Sequence, residues 1–525
     1  MTIRSNLLPC ALAADATRHR ARARVLGALL AVAFGAGCTA VGPDYRRPSA
    51  PFTEQSREHW RQAGTPDTDP ATQWKPATPQ DLADGDRWWA RFDDANLDTL
   101  IDAIDPSNQN LRAAEARYRQ ALAVIAQARA GLFPTVSADL QGTRSLSPVS
   151  TGTRGGVVTS NSAAPSTVYD VGLTASWEID LWGRVSRTLE SNRASAVASA
   201  ADLAAVRLSA RATLAQSYFQ LRVAERRERL LADTVAANRR ALTIAENRYA
   251  AGVVPRADVI QAQSQLASVE AQLIDVRIPL AQLEHAIALL VGRAPADFTL
   301  KGGELPALPQ DIPLALPSTL LERRPDIAAA ERRMAAANAQ IGVATAAYFP
   351  ALTLSGASGF RSTDLSNWIT APARYWSLGP ALVLTLFDAG RRRGVIDQNE
   401  ALYDERVAQY RQTVLTALQE VEDNLVALRV LDAEAAAQQR AVEFARQTLE
   451  VTLNQYRAGL VGFTNVVTAQ TALLSAEQTA LSVLGRQFDA SVILVRALGG
   501  GWSTTELPAP YRGAGRVDPE RGIRE

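Results

Sequence analysis

Histidine, cysteine and lysine are nearly missing from this chain. Among 525 residues there are two cysteines and three histidines, and Lys75 and Lys301 are the only lysines. Cys10 and Cys38 are too few for a disulfide framework. His19, His59 and His285 stand in no spacing that would ligate a metal or pair a base with a nucleophile. No glycine-rich phosphate loop of the Walker or Rossmann kind is present. The expectation is therefore a protein with no catalytic residues, no cofactor and no bound metal. An excess of one charge is lacking too. The 55 basic and 54 acidic residues leave a net charge of +1, so nothing draws the chain to nucleic acid.

Long apolar runs are also scarce. Val25 to Phe34 is apolar, follows Arg18, Arg20, Arg22 and Arg24, and ends in small residues before Cys38. It is too short to span a membrane and has the order of a secretory signal. A cysteine directly after the cut points to lipidation at Cys38; an ordinary signal followed by a chance cysteine is the alternative. Gly35 occupies the position where lipoprotein signals usually carry leucine.

What the chain has in abundance is repetition. Tyr249-Ala-Ala-Gly252, with Asp258-Val-Ile and Ala262-Gln263, returns as Tyr456-Arg-Ala-Gly459, Asn465-Val-Val and Ala469-Gln470. The offset is 456 − 249 = 207, and Gly172 and Gly379 keep it, as do Gly183-Arg184 and Gly390-Arg391. Upstream, Phe133-Pro134 returns as Phe349-Pro350 and Glu115 as Glu331, at an offset of 331 − 115 = 216. The extra residues fall in the Ser/Thr/Gly-rich stretch Thr143 to Thr167, which reads as a longer loop in the first copy. A period this long is an internal duplication, not a solenoid.

Each copy has the order helix, strand, loop, strand, very long helix, turn, helix. Arg184 to Ala250 and Arg391 to Ala458 contain no proline and are rich in alanine, leucine, arginine and glutamate. At about 1.5 Å per residue, each predicted helix is roughly 100 Å long. Val414, Leu418, Val421, Leu425 and Leu428 step by four and three, as in a coiled coil. The strands argue against a purely fibrous coiled coil. In Tyr169 to Asp180, Val171, Leu173, Ala175, Trp177 and Ile179 alternate with Asp170, Gly172, Thr174, Ser176, Glu178 and Asp180. Leu378, Leu382, Leu384 and Leu386 alternate with small and polar residues in the second copy. Such strands suit a transmembrane β-barrel, with Trp177, Trp182 and Trp376 as an interfacial belt; a half-buried soluble sheet is the other reading. Four strands are predicted, at 134–142, 167–180, 350–360 and 374–387. Four cannot close a barrel, and open edges are not tolerated in lipid. If the strands cross a membrane, the chain shares its barrel with copies of itself, and three copies supply twelve.

These features carry a family resemblance. Cys38-Thr-Ala-Val-Gly-Pro-Asp-Tyr-Arg-Arg-Pro48, Trp88-Trp89 with Phe92, Trp177-Glu-Ile-Asp-Leu-Trp-Gly-Arg184, Arg323-Arg-Pro-Asp-Ile327 and Leu498-Gly-Gly-Gly-Trp502 occur in this order. The chain resembles the OprM-type, lipid-anchored branch of the TolC-like outer membrane factors. The resemblance implies a mainly α-helical fold with a small β part. It also implies a homotrimer with a twelve-stranded barrel in the outer membrane, held by outer-membrane lipid, and a helical barrel in the periplasm. Its implied partners are a periplasmic adaptor and an inner-membrane RND pump, and its implied cargo is drugs or other small molecules. A duct for protein export and a lipid-anchored structural coiled coil are the alternatives.

The expected partition is a signal at 1–37, an extended lipid-anchored strap at 38–85 and a first repeat at 86–294. A connecting segment at 295–322, a second repeat at 323–502 and a tail at 503–525 follow. Gly252 and Gly459 end long helices where a left-handed cap is wanted, and Pro255, Asp258, Thr464 and Asn465 suit the start of the returning helices. By resemblance, these turns are periplasmic tips. Gly252, Val253, Val254, Gly459, Leu460, Val461, Gly462 and Phe463 are then candidates for adaptor docking, with Phe463 expected to be exposed. The resemblance further pairs Tyr456 with Asp258 as a lock on the closed state. Asn465 and Thr468 stand where the family carries a ring of carboxylates, so that ring is missing here. Asp258 has an equal alternative role, as an anion at a helix N-terminus.

Overall fold

The computed structural model describes residues 40–47, 87–146, 151–154, 157–160, 165–309 and 323–502. Cys38, His59 and the greater part of the expected signal, strap and tail lie outside the described residues. Nine α-helices and six strands are present among them. In chain order, the first copy contains α1 (Ala95–Asp102), α2 (Ile104–Ser107), α3 (Gln109–Ala130), β1 (Thr135–Ser145), β2 (Thr151–Arg154), β3 (Val157–Ser160) and β4 (Ser166–Ile179). It continues through α4 (Arg184–Ala250), α5 (Arg256–Asp275) and α6 (Arg277–Leu290). The second copy contains α7 (Pro325–Ala346), β5 (Ala351–Ser362), β6 (Arg374–Val383), α8 (Arg391–Arg457) and α9 (Phe463–Ala497).

The predicted long helices are present: α4 and α8 are each 67 residues. Val414, Val421, Leu425 and Leu428 of the four-three stripe are buried, and Leu418 is half-buried. The returning helix of the first copy is broken at Val276, between α5 and α6. Pro279 explains the break, because its ring nitrogen cannot donate to the carbonyl four residues back. The 143–167 stretch, expected as a loop, holds the short hairpin β2–β3, with Thr151 opposite Ser160. At the other end of the sheet β6 stops at Val383 instead of reaching Phe387. Its only partner strand among the described residues begins at Ala351, opposite Val383, so the residues beyond find no described backbone to pair with.

Two compact units emerge, each drawing on both copies: Met1–Arg46, Leu122–Ser195 and Met334–Glu405 in one, and Arg47–Ala121, Ala196–Arg333 and Arg406–Glu525 in the other. The first contains a four-stranded antiparallel sheet in the order β1-β4-β5-β6. Segment 40–46 lies against this unit. Arg187 donates to the carbonyls of Val41 and Gly42 and pairs with Asp44 at 2.9 Å, and Asn338 donates to the Pro43 carbonyl at 2.8 Å.

The second unit has the main apolar core. Phe92, Phe219 and Phe488 stack in series, with centroids 4.6 Å apart at each step, beside the buried Trp88 and Trp89. Asp94 caps α1 by accepting from the Asn96 and Leu97 amides and also accepts from the Tyr218 hydroxyl at 2.5 Å. Burial, together with that carboxylate, pushes the Tyr218 phenol up to about 12. Arg324, from the Arg-Arg-Pro-Asp-Ile motif, is 9% exposed. It holds Asp326 through two hydrogen bonds, Glu420 at 2.8 Å and the Ala497 carbonyl at 3.1 Å. That motif joins the start of α7 to α8 and to the end of α9.

Candidate functional site

The tip is built from the turn ends of the two hairpins α4–α5 and α8–α9, which lie in the second unit. Gly252 and Gly459 have φ of +72° and +79°, the left-handed conformation that glycine adopts without a Cβ clash. Val253 N–H then returns to the Arg248 carbonyl, and Leu460 N–H to the Gln455 carbonyl, each at 2.9 Å. The backbone of the two turns is the same, as the duplication requires.

Their side chains are not equivalent. Tyr456 is buried, whereas Tyr249, its counterpart at the 207 offset, is 47% exposed. Tyr456 lies in a small apolar cluster with Ala241, Ala245, Ala262, Phe463 and Val466. Phe463 meets it edge to face at 5.3 Å. From the other side Arg248 places its guanidinium 4.7 Å over the Tyr456 ring and donates to the Tyr456 carbonyl. The Tyr456 hydroxyl donates to Asp258 Oδ2 at 3.4 Å, long for such a bond. Burial first, and then the Asp258 charge, raise the phenol above its ordinary value, with Arg248 opposing. A phenol raised from about 10 stays protonated, and therefore a donor, throughout neutral pH.

The structure brings Tyr456 and Asp258 together, and it corrects one expectation. Phe463 is only 1% exposed. Its ring fills the cluster beneath the turn and offers no surface to a partner, because Tyr456, one hairpin arm away, covers it. Val254 and Val461 are half-buried against the same cluster. The exposed apolar groups of the turns are Val253 at 62% and Leu460 at 76%. Gly252, Gly459 and Gly462 are exposed backbone. Asn465 and Thr468 are exposed on the first turns of α9, and Thr468 Oγ1 is used by the Thr464 carbonyl of its own helix. Asp258 lies in the first turn of α5, where a negative charge also suits the helix dipole. Arg248 joins Tyr456 without a sequence signal of its own. Nothing in its spacing separates it from the neighbouring arginines of α4.

The sheet has two chemically different faces. Residues opposite one another across strands share a face, so the register Leu140–Val171–Phe360–Arg374 and its neighbours define an outward side. Val136, Leu140, Leu173, Trp376, Leu378 and Leu382 project there, each more than half exposed. The opposite face is polar and internally paired. Asp170 accepts from Arg361 at 2.5 Å and from the Tyr375 hydroxyl at 3.0 Å, and Asp139 accepts from Thr174 at 3.0 Å. At the end next to the helices the Trp177 and Trp182 indoles donate to the Leu132 and Pro350 carbonyls. Among the described residues no helix is long and apolar enough to cross a membrane, and no metal-binding cluster is found.

The sequence profile described as "Outer membrane efflux protein" matches residues 100–293 and 316–500. The pyoverdine export outer membrane protein OpmQ of Pseudomonas aeruginosa is 34% identical over 444 residues, covering 82% of this chain and 91% of its own. The probable outer membrane lipoprotein SilC of Salmonella typhimurium is 28% identical over 89% of this chain and 96% of its own. The solved outer-membrane channel OprN superposes with a TM-score of 0.76 at 33% identity, covering 88% of this chain and 99% of that one. With its duplicated helical hairpins, its two-faced sheet and both halves of the profile matched, this chain belongs to the outer membrane efflux protein family.

Proposed function

We propose that three copies of this chain close one barrel in the outer membrane and form a passive exit duct for small molecules. A periplasmic adaptor and an inner-membrane RND pump would deliver the cargo. The observation that carries this reading is the four-stranded sheet. Among the described residues its outward face is apolar and uncovered, and its outer strands β1 and β6 each have one unpaired edge. An exposed apolar face of this kind needs a covering phase. In lipid, unpaired edges must be closed. One sheet is too small to close alone, since about eight strands are the minimum, and three sheets joined β6 to β1 satisfy every edge. The long helices then carry the duct away from the membrane, and their tips meet the adaptor.

In this arrangement Val253 and Leu460 are the tip side chains available to the adaptor, presented by Gly252, Gly459 and Gly462, with Val254 and Val461 at the margin of the patch. The Tyr456–Asp258 bond belongs to the closed state. Asn465 and Thr468 supply no carboxylate to the constriction, which leaves Asp258 as the acid in the first turns of the returning helices. Cys38 carries the lipid anchor, a reading supported by its place after a signal-like segment. The chain performs no chemistry of its own.

Native mass spectrometry of protein extracted from outer membranes, with peptide mapping of its first residues, tests the assembly and the anchor together. A trimer beginning at acylated Cys38 is expected. A trimer without acyl chains removes the anchor and keeps the duct, while a soluble monomer overturns the duct. Conductance in planar bilayers then tests the lock, because Tyr456→Phe and Asp258→Ala should each raise it.

A further inference from the structure

The register arranges the outward side chains of the sheet in rows. One row is Val136, Ala175, Gly356, Leu378; the next is Ala138, Leu173, Ser358, Trp376; the one beyond is Leu140, Val171, Phe360, Arg374. Small residues occupy the middle of the first two rows. Ala175, Gly356 and Ser358 form the floor of a groove of about 350 Å³, flanked by Val136 and Leu173 on one side and Trp376 on the other. Leu173 is 56% exposed and Trp376 72%. The flanks therefore stand clear of the sheet, and nothing among the described residues fills the space between them.

Charge on this face is confined to one end. From the row of Ile179 and Leu352 out to that of Leu140 and Val171, no outward position is charged except Arg374. Arg374 lies two residues beyond Trp376 on β6, roughly 7 Å along the strand. It is exposed and has no acidic partner among the described residues. Arg144, still farther toward the end of β1, is exposed on the same face and likewise without an acidic partner. The charged groups of the polar face differ in being paired, Arg361 with Asp170 and Arg184 with Glu178. An unpaired guanidinium is costly in hydrocarbon and favourable at the headgroup level of a membrane. There its fork of donors matches a phosphate.

We infer that this face holds one phosphorylated, acylated lipid per chain, with a hydrocarbon chain in the groove between Leu173 and Trp376 and the headgroup phosphate on Arg374. The groove is apolar and the cation stands one row beyond Trp376 on the same face, so a single amphiphile satisfies both. The inference rests on the outer-membrane barrel proposed above.

The test uses the full-length trimer in detergent, titrated with phosphatidylglycerol and observed by native mass spectrometry. Up to three tightly held lipids per trimer are expected for the unaltered protein. Arg374→Gln should weaken retention about tenfold, the size of one charge-assisted hydrogen bond. Gly356→Leu should weaken it as much by filling the groove. A Cβ at Gly356 would meet Leu378 Cδ1 at 3.5 Å and the Ser377 carbonyl oxygen at 3.8 Å, both ordinary contacts, so the sheet tolerates the change. Trimer mass and single-channel conductance serve as controls for folding and should not change. Lipid retention unaffected by both variants would overturn the site. So would equal binding of diacylglycerol, or displacement of the lipid by inorganic phosphate. Failure of the unaltered protein to form a trimer or conduct would count against the barrel instead.

Discussion

Replacing Phe463 with alanine should loosen the tip far more than breaking the Tyr456–Asp258 hydrogen bond. Phe463 is 1% exposed and packs edge to face on Tyr456. Truncating a buried phenylalanine costs about 3–5 kcal/mol. The Tyr456–Asp258 bond is 3.4 Å long, so its loss should cost about 0.5–1 kcal/mol. Each 1.4 kcal/mol is about tenfold in an equilibrium. Tyr456→Phe should therefore raise the open population only a few-fold per tip, and Phe463→Ala by two orders of magnitude or more. The assay is single-channel conductance in a planar bilayer at fixed voltage, alongside growth in the presence of an antibiotic too large for the closed duct. Phe463→Leu, which keeps most of the apolar volume, should fall between them. A folded Phe463→Ala protein with unaltered conductance would refute the packing role of Phe463. So would a Tyr456→Phe effect as large as that of Phe463→Ala, since the hydrogen bond would then dominate the packing.

Arg248→Gln removes both the cation over the Tyr456 ring and the charged donor to its carbonyl. It should cost about 1–2 kcal/mol and give a conductance increase larger than that of Asp258→Ala. Arg324→Lys keeps the charge but not the fork that holds Asp326 and Glu420 together. A loss of about 2–3 kcal/mol is expected, because the acids are a third exposed and a fully buried pair would lose more; thermal unfolding by circular dichroism measures it. Asp489 is pushed up by burial, with the hydrogen bond from Gln220 opposing, and its Oδ1 has no partner. A carboxyl raised on folding is stabilising below its unfolded value, near 3.9, and that contribution is lost as pH rises through the folded value. Asp489→Asn should therefore raise the melting temperature at pH 7 and lose the advantage as pH falls below about 4. A variant equally or more stabilised in acid would contradict the burial argument.

Residues differ in how much of their role the sequence reveals. The ends of α4 and α8 are legible because helix formers run unbroken up to a glycine turn, a local signal. The strands are legible for the same reason, since period-two alternation needs no knowledge of the partner. The end of β6 is not legible, because Leu384 and Leu386 continue the alternation while the strand opposite has already stopped. The β2–β3 hairpin is hidden in Ser, Thr and Gly, whose composition reads as loop. Arg324 could be noticed as part of a motif, yet its work is done with Glu420, which is 96 residues distant. The burial of Phe463 is illegible on similar grounds. An apolar residue beside a turn glycine looks exposed until the facing hairpin arm places Tyr456 on top of it.

The duplication makes one further point about the tip. At the 207 offset Tyr249 corresponds to Tyr456, Asp258 to Asn465, and Arg256 to Phe463. Two diagonal pairings were therefore open to the ancestral hairpins, Tyr456 with Asp258 or Tyr249 with residue 465. Only the first has a carboxylate to accept the phenol and a phenylalanine to wall it in. Tyr249 is accordingly 47% exposed and Tyr456 2%, although the turn backbones coincide. In the closed state proposed above, closure is then one-sided, and Tyr456 would have to leave the space between Arg248 and Phe463 for the hairpins to part. Moving the acid to the other diagonal, with Asp258→Asn and Asn465→Asp together, should not restore closure. Tyr249 lacks the aromatic wall that would hold it in place, so a surface hydrogen bond of little net worth is all it could gain. The double variant should conduct like Asp258→Asn alone. Recovery of the unaltered conductance would mean that the two tips are interchangeable and that the packing around Tyr456 is incidental to the closed state.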